Sequence, residues 1–226
     1  AIGGDARLVV GDLSSVRTVR ETAERLGETC PRIDVLVHNA GLWPNRRVLN
    51  EDGLEQSFAT NHIAPFLLNM LLEPVLLKSR TRVVQVSAGL YVRGKVELDR
   101  TPTGLDFHPI RTYCDTKLCN LMLVPLFAER WKDSGVAIDA LHPGVIRTGL
   151  GSRDGGFTGL LLSVAKLPMK RPAAGGKPVV ALALANDRGT GRYYHLTKQQ
   201  RLARVATDTD LARRLWDHAA QHTEPS

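Results

Sequence analysis

Apolar and polar positions alternate along this chain in two different rhythms. Short apolar runs, Arg7–Val10, Ile33–Val37, Arg82–Val86, Val136–Leu141 and Gly191–His195, predict strands. Between them lie stretches with a helical period. Ser14 reads as an N-cap, with Val16, Val19, Ala23 and Leu26 forming one face behind it. Glu51–Lys78 is apolar on nearly all sides in its second half, which predicts burial or an oligomer interface. Thr112–Lys132 carries Leu118, Leu121, Met122, Leu126 and Phe127, and Pro125 inside it predicts a kink. Arg93–Ile110, rich in Gly and Pro, reads as a loop. Strands alternating with helices predict an α/β fold with a doubly wound parallel sheet. No linker divides the chain, so residues 1–226 are expected to form one domain, with 151–181 as a lid over the substrate region.

Composition narrows the class. Of 226 residues, 43% are hydrophobic and 23% charged, which excludes disorder, collagen-like repeats and coiled coil. No apolar run reaches the roughly 18 residues needed to span a bilayer. Ile63–Leu77 is interrupted by Pro65, Asn69, Glu73 and Pro74 and reads as a core helix. There is no signal-peptide pattern, and the sequence opens on Ala1 rather than Met, so its start is read as missing or processed. Cys30, Cys114 and Cys119 are neither an even set nor a CxxC pair, which suits a reducing, cytoplasmic setting. The net charge of +7 is spread along the chain and aromatics are only 5%, so no nucleic-acid partner is expected. One local excess, Arg153, Lys166, Lys170, Arg171 and Lys177 against Asp154, follows or interleaves with an apolar stretch, Phe157–Leu167. It reads as a mobile lid or, more sharply, as a lid that also makes peripheral contact with an anionic membrane.

Candidate chemistry collects at the predicted strand ends, where open α/β sheets bind ligands. Tyr113 and Lys117 lie four residues apart and project from one helix face. A nearby ammonium lowers a phenol's pKa, so the pair can act as a general acid/base on an alcohol or carbonyl. His218 and His222 share a face with metal-ligand spacing but lack a third ligand, so a solvated face is expected and no metal. Cys114 has no positioned base and reads as packing. Trp43, Trp131 and Trp216 are expected to fill core or surface gaps. Tyr91 and Phe107 either line a substrate pocket or anchor a loop.

Read outward from Tyr113, the chain resembles the short-chain dehydrogenase/reductase family over nearly its full length, and most its retinol dehydrogenase-like branch. Asp12-Leu13 is similar to the family's adenine-binding step. His38-Asn39-Ala40-Gly41 resembles its Asn-Asn-Ala-Gly turn, with His for the first Asn. Asn61-His62 resembles the helix Asn that positions a water in the proton relay. Tyr113-Cys-Asp-Thr-Lys117 matches the catalytic pair, and His142-Pro143-Gly144-Val145-Ile146-Arg-Thr148 resembles the loop around the nicotinamide and phosphates. The resemblance implies a Rossmann-like fold, NADP or NAD as cofactor, a small lipophilic alcohol or carbonyl as substrate, and a homodimer. Tyr113 would exchange the proton, Lys117 would bond the nicotinamide ribose and lower the Tyr113 pKa, and Asn61 would hold the relay water.

Two departures stand out. Val86-Ser87-Ala88 puts Ala88 where the family has its catalytic Ser; either Ser87 reaches the site by a local shift or activity is weakened. The family's first strand, Gly-rich turn, first helix and second strand have no counterpart before Asp12, so the fold is expected to lack its first βαβ part. In the family's strand order 3-2-1-4-5-6-7, that would separate Arg7–Val10 from the rest and leave the Val35 strand at an edge, unless the Arg7–Val10 strand slides over to pair with it. These departures also motivate a catalytically silent binding protein as the alternative.

Overall fold

The computed structural model describes residues 5–144, 172–187 and 189–223. The expected strands at Ile33–Val37, Arg82–Val86, Val136–Leu141 and Gly191–His195 appear as β1 (Val35–His38), β2 (Arg82–Val86), β3 (Ala137–His142) and β4 (Tyr193–His195). They pair in parallel and in chain order. A fifth strand, β5 (Lys198–Gln200), folds back antiparallel on β4. The chain gave no sign of it, because Lys198, Gln199 and Gln200 are all polar and exposed.

Helices cover both faces of the sheet, as a doubly wound fold requires. Alternate residues of β2 and β3 face opposite cores. Val83 and Ile138 join the main core with α1 (Val16–Thr29), α3 (Ala64–Leu71) and α5 (Pro109–Arg130). Val84 and Leu141 face the other side, where Leu182 of α6 (Pro172–Ala183) packs. Both faces of β2 are therefore buried, including its two polar residues, Arg82 and Gln85. The last helix, α7 (Thr209–Ala220), closes the main core through Ala212, Leu215 and Ala219.

Several expectations change. Arg7–Val10 is not a strand: Leu8 and Val10 are 87% and 70% exposed, and no strand pairs with them among the described residues. An apolar run becomes a strand only where another strand satisfies its backbone groups. The first helix is capped by Ser15, not Ser14, in a capping box with Thr18. Ser14 is instead held by Asp12, whose carboxylate accepts from its backbone N–H and its hydroxyl at 2.9 Å each. Glu51–Lys78 divides into α2 (Gln56–Phe58), a π turn (Ala59–Ile63), α3 and α4 (Glu73–Ser79). The loop before Tyr113 starts with a 3₁₀ turn, Gly89–Arg93, and ends at His108, which caps α5. That helix runs as one element past Pro125, which is exposed.

At the end of the sheet away from the candidate site, Asp139 of β3 is fully buried and takes two guanidiniums, Arg82 from β2 and Arg192 from the approach to β4, each at 3.1 Å. Glu73 of α4 holds Arg130 at 2.6 Å and the Trp131 indole at 2.7 Å, fastening α4 to the end of α5. Among the described residues, no helix is long and apolar enough to cross a membrane.

Candidate active site

The site forms where the loop after β1, the π turn and the start of α5 meet the carboxyl end of β2. A π turn widens a helix by one residue, a distortion common at functional positions. Here it carries Asn61, which is 1% exposed. The Asn61 side chain uses both its donors and one acceptor site. Its Nδ2 donates to the Leu42 carbonyl at 2.9 Å and to Thr116 Oγ1 at 3.0 Å, while Oδ1 accepts from the Leu42 N–H at 2.6 Å. Its backbone carbonyl accepts from Asn120 Nδ2 at 2.8 Å. That carbonyl keeps a second lone pair, and a relay water held by Asn61 would have to share these groups.

Gly41 lies against this amide. A Cβ there would sit 3.3 Å from Asn61 Oδ1 and 3.5 Å from Lys117 Nζ, so the absence of a side chain lets the loop close on both. Lys117 is buried, and among the described residues its ammonium has one long bond, 3.4 Å to the Val86 carbonyl. Burial pushes its pKa down to about 8. Tyr113 is buried beside it, with Lys117 Nζ 5.7 Å from its ring centroid. The expected depression of the phenol's pKa is not what the surroundings produce: burial raises it well above its ordinary value. At that distance the ammonium does not offset the loss of water around the phenolate, and its own charge is disfavoured by the same desolvation.

Ser87 has not shifted into the place of Ala88. Its N–H still donates to Leu141 at 2.7 Å, continuing the β2–β3 ladder, and its buried hydroxyl has no protein partner among the described residues. Ala88 follows in extended conformation and opens the 3₁₀ turn. His38 is buried rather than turned to the site, paired with Asn69 at 2.8 Å, and desolvation lowers its pKa to about 4. Asn39 and Ala40 are exposed beside it. Asp12 is exposed and Leu13 half-buried against the core. Pro143 and Gly144 follow β3, and Gly144 has φ +88°, a left-handed conformation suited to glycine. Val145, Ile146, Thr148 and the Phe157–Arg171 stretch lie outside the described residues.

Other expectations resolve as packing. His218 and His222 are half-buried rather than solvated, 5.7 Å apart by ring centroid, with His218 edge-on to Phe58. Among the described residues, no three His, Cys, Asp or Glu side chains gather as a metal site. Tyr91 anchors its loop, its hydroxyl accepting from the Ala203 N–H at 2.9 Å. Trp131 and Trp216 join Phe66 and Phe127 in one aromatic cluster. Trp43 does not: it stacks on Tyr113, a contact that sequence reasoning missed. Thr116 and Asn120, which tie Asn61 to α5, were missed too; their spacing from Tyr113 and Lys117 on one helix was the available signal.

A parallel sheet wrapped on both faces, with a Tyr–Lys pair beside an Asn-bearing helix break, defines a nucleotide-type oxidoreductase scaffold. The comparisons identify which one. The short chain dehydrogenase family profile matches residues 1–155. Human retinol dehydrogenase 13 is 32% identical over 219 residues, covering 93% of this chain and 66% of that protein. Mouse retinol dehydrogenase 14 is 33% identical over 229 residues, covering 95% of this chain and 67% of the relative. The chain thus spans about two thirds of the length of these relatives. A crystal structure of an uncharacterised protein from Mycobacterium paratuberculosis aligns with TM-score 0.68 at 26% identity, over 94% of this chain and 73% of that one. An NADPH-bound carbonyl reductase from chicken fatty liver shares the fold at TM-score 0.59 and 16% identity, over 84% of this chain and 75% of that one. The chain belongs to the short-chain dehydrogenase/reductase family, a family of NAD(P)-dependent oxidoreductases, and is of its retinol dehydrogenase-like kind.

Proposed function

We propose that this chain carries the proton-transfer site of an NAD(P)-dependent oxidoreductase that interconverts a lipophilic alcohol and its aldehyde or ketone. The observation that carries the reading is the buried Lys117 ammonium beside Tyr113, closed over by Gly41 and Asn61. An ammonium with one long bond among the described residues, and donors to spare there, suits the hydroxyls of a ribose, so these residues fit the nicotinamide end of NADP or NAD. When bound, the cofactor supplies or accepts the hydride at the carbon bearing the oxygen. Tyr113 gives that oxygen its proton in reduction and takes it back in oxidation. With the cofactor bound, ribose hydroxyls would stabilise the Lys117 charge, which would then favour the phenolate; Asn61 fixes the loop that covers both. Pro143 and Gly144, with Val145, Ile146 and Thr148, would line the cofactor's other side, and Asp12-Leu13 its adenine end. The names of the retinol dehydrogenase relatives support a lipophilic substrate.

The same reading includes a single domain over 1–226, a substrate lid at 151–181, peripheral contact of Phe157–Arg171 with an anionic membrane, and a homodimer. A dimer would use little of α5, whose Thr112–Val124 stretch is buried within one chain. Tyr113→Phe is expected to abolish turnover across a panel of aldehydes and ketones while calorimetric binding of NADPH or NADH persists. Full activity in that variant would overturn the assignment.

A second reading is favoured by Ala88, which puts no hydroxyl where a carbonyl oxygen would need a donor. It makes the chain a silent family member that binds partners. Micromolar NADPH binding together with turnover lost in Tyr113→Phe would exclude it.

A further inference from the structure

Trp43 has no role in the account above, yet its indole lies flat on the Tyr113 ring, with centroids 4.2 Å apart and planes 4° from parallel. The aromatic cluster of Phe66, Phe127, Trp131 and Trp216 meets instead at angles from 33° to 83°, the variety expected where rings simply fill a core. The parallel stack has a dedicated anchor. Leu42, the residue before Trp43, is clamped through both backbone groups by the Asn61 amide, at 2.6 and 2.9 Å. Asn61 also donates to Thr116 Oγ1, and that hydroxyl donates to the Tyr113 carbonyl at 2.9 Å. The bonds therefore form a closed circuit. One arm reaches Tyr113 through its backbone, and the other returns through Leu42 and Trp43 to cover the face of its ring.

We propose that Trp43 is a positioning residue for proton transfer at Tyr113, fixing the plane of the phenol ring and covering one of its faces. This rests on Tyr113 being the proton carrier. The physical need is specific. A phenol ring anchored only at its backbone can rotate about its side-chain torsions and sweep its hydroxyl away from the reacting oxygen, and small misplacements at such a group cost large factors in rate. Packing from Lys117 alone leaves that freedom, since its ammonium stands 5.7 Å from the centroid. The indole removes it without presenting a polar atom that competes for the hydroxyl proton, because an indole N–H only donates. The same cover keeps water from that face of the ring, so it adds to the burial of Tyr113.

The test uses the 226-residue chain with isotope-labelled tyrosine, the Tyr113 ring signals being assigned by their loss in Tyr113→Phe. In the parent chain these signals should be displaced upfield by the indole ring current. Trp43→Ala should return them toward ordinary tyrosine positions, and Trp43→Phe should keep part of the displacement. In steady-state assays Trp43→Ala should lower kcat about tenfold with little change in KM, and Trp43→Phe should restore it to within about threefold, in keeping with a loss of alignment rather than of binding. Identical Tyr113 spectra in the parent and Trp43→Ala would overturn the proposal whether or not the chain turns substrate over. An altered spectrum with unchanged kcat would overturn it as well. If Trp43→Ala does not fold, the parent and Trp43→Phe spectra decide alone: an undisplaced Tyr113 ring in both removes the stack and the proposal with it. Turnover surviving in Tyr113→Phe would instead refute the functional reading on which the proposal depends.

Discussion

Lys117 shows how function and stability compete at a single residue. An ammonium buried with one 3.4 Å bond is held at a cost, and its pKa of about 8 measures that cost against the ordinary 10.5. The sign follows from proton counting. Between about pH 8 and 10.5 the unfolded chain still holds a proton that the folded chain has released, so stability rises with pH across that window. Below it the folded protein carries the full penalty, on the order of 3 kcal/mol at about 1.36 kcal/mol per pH unit. Lys117→Met, which keeps the volume and removes the charge, is therefore expected to raise unfolding stability at pH 7 by about 1–3 kcal/mol. It should also flatten the rise between pH 8 and 10.5 while abolishing turnover. Urea unfolding at several pH values checks this, and a destabilised Lys117→Met would mean the ammonium is a net structural asset.

At the scale of elements, the two ends of the sheet are built for opposite purposes. The carboxyl end leaves groups underused: the Ser87 hydroxyl and His142 Nδ1 are buried without partners among the described residues. At the far end Asp139 bonds Arg82 and Arg192, and Arg192 also pairs with Asp187. Three consecutive strands are thus tied through one carboxylate where no ligand is expected. Removing it leaves Arg82, 2% exposed, as a buried cation without its countercharge. Asp139→Ala should cost about 3–5 kcal/mol in denaturant unfolding, with the site's geometry otherwise kept. A loss below about 1 kcal/mol, the value of an exposed pair, would mean that Arg82 relaxes onto its carbonyl partners Ala185 and Asp187 and that the carboxylate is dispensable.

For the whole molecule, the sheet edge is the exposed feature. Among the described residues β1 has a strand neighbour on one side only, and Val37 within it is 37% exposed. An apolar edge with free backbone groups is a template for pairing with another chain. The 226-residue chain is expected to associate with rising concentration in light scattering, and Val37→Lys to shift it toward monomer, since a charge on the edge opposes pairing. A monodisperse parent at high concentration would contradict this.

The sequence by itself determined whatever depends on near neighbours. Apolar runs bounded by turn residues located β1 to β4, and four-residue spacing put Tyr113 and Lys117 on one face of α5. The order of motifs from Asp12 to Gly144 pointed to the family. These signals are local because a strand's alternation and a helix's period are written in adjacent residues. Only the tertiary structure decided the rest. Arg7–Val10 has strand-like residues but no neighbour to pair with among the described residues, and β5 has a neighbour but no apolar signal. The acidity of Tyr113 is set by how much water its surroundings exclude, not by Lys117 four residues on. Trp43 reaches Tyr113 because Asn61, on a third segment, clamps Leu42. Pairing, desolvation and stacking each need partners far apart in the chain, and no local pattern of residues specifies which partners will meet.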